Sequence, residues 1–133
     1  MQLIRVKNPR VFEFIPIGKL SSDPLVSEES VIRSMIIQMG ACPDDTFVLA
    51  GVKNKVVTDF MFAYIPEDKK YCWIQVAFST TKQTTKKAMI FLEWFCKSKG
   101  IEEIRMETQR NPLAFERSYD FKMHSIIMSR KVT

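Results

Sequence analysis

Residues 71–100 read YCWIQVAFSTTKQTTKKAMIFLEWFCKSKG. The run YCWIQVAF, rich in aromatic and β-branched residues, predicts a strand. From about Thr84 to Lys99, the residues Ala88, Phe91, Leu92, Phe95 and Cys96 recur at spacings that line one side of a helix, with Gly100 as its stop. IEEIRMETQ then predicts another strand, and a strand, helix and strand of these lengths form a right-handed crossover with parallel pairing. The junction STTKQTTKK contains no glycine. A helix start that receives a phosphate usually has one, because the phosphate must come close to the backbone.

The same reasoning extends in both directions from this unit. LIRVK predicts a first strand, and SEESVIRSMIIQMG predicts a helix with Ser27 as N-cap, Glu28 and Glu29 in its first turn and Gly40 as its stop. TFVLAGVKNKVVTDFMFAYI is two strand-like runs joined by a short polar turn at Lys53 and Asn54, and PEDKKY separates them from YCWIQVAF. Three consecutive antiparallel strands are the simplest arrangement. Beyond the crossover, Asn111 is a fitting N-cap before Pro112, LAFERSY predicts a short helix, and the last run predicts a strand. The predicted order is β, α, β, β, β, α, β, α, β: an α+β domain with a mixed, mostly antiparallel sheet flanked by helices, in one unit over residues 1–133.

Composition narrows the function. The chain has 133 residues, 46% of them hydrophobic, including 10 Phe and 8 Met, which suffices for one core. No apolar stretch reaches the roughly 20 residues needed to span a bilayer, and MQLIRVKNPR lacks a signal-peptide core. A soluble, cytoplasmic protein is expected. Cys42, Cys72 and Cys96 are odd in number and sit in apolar contexts, so free, buried thiols are expected rather than disulfides. With His124 as the one histidine, no metal site is expected. The net charge is +5, and five lysines (Lys82, Lys86, Lys87, Lys97, Lys99) stand against Glu93 between Thr81 and Lys99. Three of them crowd the helix entrance, where the helix dipole is already positive and an anion is favoured. The aromatics do not interleave with the basic residues as a nucleic-acid stacking platform requires, so nucleic acid is not the expected partner.

Order and local sequence together resemble the GCN5-related N-acetyltransferase superfamily over nearly the whole chain. VAFSTTKQTTKKAM occupies the slot of that family's acetyl-coenzyme A loop, without its glycines, and NPLAFERSYDFK resembles its closing segment, with Asn111, Ala114 and Phe121 matching and Asp120 in place of a usual glycine. The resemblance implies acetyl-coenzyme A as cosubstrate and an unidentified amine as acceptor. It implies that the strand YCWIQVAF splays from its neighbour, so that the backbone of Val76, Ala77 and Phe78 pairs with the pantetheine arm. The phosphates would then meet Lys82, Thr84, Thr85, Lys86 and Lys87, whose side chains replace a glycine cradle, with Asn111 as a further family-like polar residue.

Acetyl transfer to an amine needs a base for the amine proton and an acid for the leaving thiolate. The resemblance implies a carboxylate base on a central strand, for which Asp59 is the first candidate and Glu107 the second. It implies a tyrosine acid near the closing helix, for which Tyr119 is the nearest residue. An acid within a strand usually faces solvent, and Tyr119 fits a core aromatic equally well. The alternative is a non-catalytic binding or structural module on the same fold, of the kind found among compact bacterial and viral members, and the missing glycines favour it.

Overall fold

The computed structural model describes residues 2–20 and 26–107, which form one five-stranded sheet with a helix on each face. The elements are β1 (Leu3–Arg5), a 3₁₀ helix (Pro9–Phe14), α1 (Glu28–Ala41), a 3₁₀ turn (Pro43–Asp45), β2 (Thr46–Lys53), β3 (Val56–Tyr64), β4 (Tyr71–Phe78), α2 (Lys82–Ser98) and β5 (Glu103–Met106). Spatial order follows chain order, with antiparallel pairing from β1 to β4 and parallel pairing of β4 with β5 across the α2 crossover. The predicted mixed, mostly antiparallel α+β sheet is what is found. The predicted closing helix and last strand, with Asn111, Tyr119 and His124, lie outside the described residues.

Local signals account for the element ends. Ser27 caps α1 by accepting from the Ser30 amide at 3.1 Å. Gly40 does not stop that helix, which runs on to Ala41 and is closed by Cys42, whose amide donates to Gln38. Gly100 does end α2, at φ +69°. Asn54 and Lys55, both at positive φ, form the two-residue turn that the twist of a β2–β3 hairpin requires.

Strand alternation divides the apolar residues between two cores. Phe47, Leu49, Met61, Ala63, Cys72 and Ile74 meet Ala88, Leu92, Phe95 and Cys96 of α2. Val48, Ala50, Phe60, Phe62 and Val76 meet Phe12 of the 3₁₀ helix and Met35 of α1. Phe12 reaches the second core from a segment in which sequence periodicity gave no sign of structure. Phe91, expected on the buried face of α2, lies instead on its outer side and packs edge-on against Trp94 at 5.5 Å. It flanks the apolar stripe rather than centring it.

Of the three thiols expected to be buried, Cys72 and Cys96 are, whereas Cys42 is exposed because the end of α1 turns it to solvent. Cys72 and Cys96 share a hydrogen bond between β4 and α2, which together with burial pushes the Cys72 thiol well up, so it stays protonated at neutral pH. Thiolate, not thiol, reacts with alkylating reagents. The same bond shifts the Cys96 thiol down, but Cys96 is buried and shut off from reagent. In native protein at pH 8, iodoacetamide should therefore modify Cys42 alone, and Cys72 and Cys96 should react only after denaturation, as counted by mass spectrometry.

Candidate functional site

β4 changes character half-way along. Tyr71 and Cys72 pair with β5, and Trp73 and Ile74 are paired on both sides, with β3 and with β5. The β3 register then shifts between Phe62 and Ala63, leaving Gln75 as an extra residue on β4, and the last β5 pair is Ile74 with Met106. From Gln75 to Phe78 the outer edge of β4 has no strand partner among the described residues. The Gln75 side chain crosses to α1 and donates to the Ser34 hydroxyl at 2.8 Å, so the bulge is tied to the helix beneath it.

Alternate residues of this edge are packed from within. Val76 is buried opposite Phe62, and Phe78 stacks on Phe60 at 5.8 Å, while Ala77 is exposed opposite Met61. Free backbone N–H and C=O groups on a supported edge suit an extended ligand that pairs as a strand would. Glu107 is exposed and directly follows Met106, the last residue paired to β4, and so stands at the mouth of the opening.

The edge leads straight into the start of α2. Thr81 caps the helix, accepting from the Thr84 amide at 3.0 Å, and Lys82 is already the first helical residue. The helix starts two residues before the expected Thr84. Thr84 and Thr85, expected to offer hydroxyls to a phosphate, spend them within the turn: Thr84 bonds the Thr81 hydroxyl at 2.9 Å, and Thr85 bonds Ser79. The amides of Lys82 and Gln83 open the helix and have no acceptor within it.

The three entrance lysines are all exposed but do not share one flank. Lys82 and Lys86 are four residues apart and stand one above the other. Lys87 lies about 100° further round. It lines a shallow groove of about 450 Å³ with Gln2, Leu3, Thr84, Ile90 and Phe91, beside β1 and on the far side of the sheet order from β4. The pair Lys82 and Lys86 is therefore the charge nearest the open edge.

Asp59, expected to face solvent as acids in strands usually do, is 1% exposed. It lies two residues before Met61 and thus on the α2 face of β3. Its Oδ1 accepts from the Thr80 amide at 2.8 Å and from the Thr80 hydroxyl at 3.1 Å, and its Oδ2 accepts from Thr58 at 2.8 Å. Sequence reasoning missed Thr80, Thr81 and Gln75, each of which acts through a bond or register that single-residue patterns do not reveal. No group of His, Cys, Asp and Glu among the described residues is arranged to hold a metal ion.

No family model matches the chain, and no curated protein matches it by sequence. Solved structures do match its fold. The aminoglycoside antibiotic 6'-N-acetyltransferase AAC(6')-IG from Acinetobacter haemolyticus superposes with a TM-score of 0.71 over 100% of both chains at 14% identity. Glucosamine-6-phosphate N-acetyltransferase from Arabidopsis thaliana gives 0.63 over 99% of this chain and 98% of its own at 20% identity. A predicted acetyltransferase from Clostridium acetobutylicum, solved with acetyl-CoA, gives 0.62 over 98% and 95% at 9% identity. The chain has the fold of the GCN5-related N-acetyltransferases.

The missing glycines also have a local cause. Non-glycine residues at positive φ are Asn54, Lys55 and Asp68 among the described residues, so the turn from Ser79 to Thr81 keeps ordinary backbone angles throughout. A side-chain cap takes the place of backbone freedom at this helix start. Thr81→Ala should accordingly cost about 1 kcal/mol in denaturant unfolding, whereas Thr81→Gly, which leaves the cap open to water, should cost only a few tenths.

Proposed function

We propose that this chain binds acetyl-coenzyme A and transfers its acetyl group to an amine. The observation that carries the reading is the edge of β4 from Gln75 to Phe78, unpaired among the described residues and running directly into a helix start that carries Lys82 and Lys86. An edge of free amides and carbonyls fits a pantetheine arm, and a helix N-terminus with adjacent ammonium groups fits a pyrophosphate. The fold shared with an acetyltransferase solved with acetyl-CoA supports the same ligand.

The residues fit with roles shifted from the first expectation. The backbone of Val76, Ala77 and Phe78 holds the arm, and the Lys82 and Gln83 amides with Lys82 and Lys86 hold the phosphates, while Lys87 acts only at a distance from the other flank and the hydroxyls of Thr84 and Thr85 brace the turn. When bound, the cosubstrate supplies a thioester acyl group. The amine proton needs an acceptor near the opening, and Glu107, exposed at its mouth, is positioned to take it directly or through water. Tyr119 is assigned the proton that the departing thiolate requires, and Asn111 a supporting polar contact, both on the resemblance of their segment.

A second reading is favoured by the hydroxyls already committed within the turn: a module that keeps the fold without catalysis. Thermal unfolding separates the two at the binding level, because a ligand that binds only native protein raises its Tm. Millimolar coenzyme A should raise the Tm, and no rise would favour the second reading. Thiol release from acetyl-coenzyme A with a panel of amines then tests turnover. Tyr119→Phe should lower the rate by a factor on the order of 10² to 10⁴ with cosubstrate affinity intact, the usual effect of deleting a positioned acid.

The lysine geometry gives a graded expectation. Lys82→Glu with Lys86→Glu should weaken coenzyme A binding by at least about tenfold near 0.1 M salt, an effect that shrinks as salt rises. Lys87→Glu should change affinity by roughly twofold to threefold, since its charge is on the other flank and screened. Calorimetric titration of each variant at two salt concentrations measures both, and an equal loss from Lys87→Glu would place the phosphates on the β1 side instead.

A further inference from the structure

We infer that Asp59 is a positioning residue that tethers the β4–α2 turn to β3, so that the helix start is held open for a polyanion without any glycine. The carboxylate spans 21 residues of sequence to reach Thr80, taking both its amide and its hydroxyl on Oδ1. Thr58 fills Oδ2, so neither oxygen is left without a protein donor. A general base needs a lone pair directed at substrate, and a 1% exposed carboxylate with three donors from its own chain is built for holding rather than for proton transfer.

Electrostatics supports the same role. α2 has no acidic residue in its first turn and instead has Lys82 at its first position, a combination the helix dipole disfavours. Asp59 supplies from a neighbouring strand the negative charge that the helix lacks. It also takes up the Thr80 amide, while the amides of Lys82 and Gln83, at the start of the helix, have no acceptor within it. Glycine-bearing turns expose several successive amides, whereas here one is spent on the tether. The ligand arm of the inference rests on the coenzyme A reading above; the tether itself does not.

Two measurements keep those apart. In ligand-free protein, exchange of the hydrogen-bonded amides of Thr80, Thr84 and Thr85 should rise by on the order of tenfold in Asp59→Ala, as the loss of charged hydrogen bonds implies, while the Leu92 amide in the middle of α2 keeps its protection. Asp59→Asn retains Oδ1 as an acceptor and should bring exchange back to within about threefold of wild type. Coenzyme A affinity and the KM for acetyl-coenzyme A should follow the same order, with the loss in Asp59→Ala falling on KM rather than kcat and Asn restoring it. Should Asp59→Ala fail to fold, Thr80→Val removes one of the tether's two bonds and should raise exchange at Thr84 and Thr85. Unchanged exchange across the turn in the variants that fold would overturn the tether. So would a collapse of kcat in both Ala and Asn variants at unchanged KM, which would make Asp59 the base. Altered exchange in a protein that does not bind coenzyme A would uphold the tether and sink the cosubstrate reading.

Discussion

The structure depends on β4 serving two incompatible demands. At Trp73 and Ile74 it must be an interior strand, paired on both sides so that α2 can cross over and return β5 in parallel. At its end it must present an edge. The extra residue at Gln75 resolves the conflict by breaking the register with β3 at the same point where pairing to β5 ends. It also switches the sides on which residues fall: Cys72 and Ile74 belong to the core under α2, whereas Val76 belongs to the core under α1. A bulge elsewhere would either bury the edge or expose the core.

What could be read from sequence was what is local. The Ser27 cap, the polar turn between β2 and β3 and the Gly100 stop are each decided by residues within one turn of one another, and each forms where expected or within a residue of it. The order of strands and helices followed from periodicity because sheet faces and helix faces have different repeats. The candidate site was legible only as a place. That β4 should lose its neighbour came from the resemblance; that it does so beyond Ile74, with Gln75 anchored on Ser34, depends on contacts 41 residues apart.

Electrostatic detail was the least legible. Three lysines close in sequence suggested one cradle, but a helix turns by about 100° per residue and separates Lys87 from Lys86. Asp59 looked like a reagent because an acid amid apolar residues shows no partner in one dimension. In three dimensions its partners are the donors of a turn that no alternation pattern connects to β3. Phe91 and Trp94 illustrate the same limit on the apolar side. Both are spaced near the buried stripe, yet they pack on each other outside it.

The meander of β2, β3 and β4 also bears on how the chain acquires its shape. Lys53 meets Val56 across a two-residue turn, so this hairpin closes with little loop entropy, and β4 adds to it through another short connection. Tyr71 meets Glu103 only after the whole of α2 has been laid across the sheet. Contacts of such unequal range imply an order of assembly, with the antiparallel meander early and the parallel strand late, because distant pairing repays its entropy only once the intervening helix is docked. The opening beside β4 would then be the last part of the described sheet to take form, so that loosened packing of Leu92 and Phe95 would show mainly as faster unfolding.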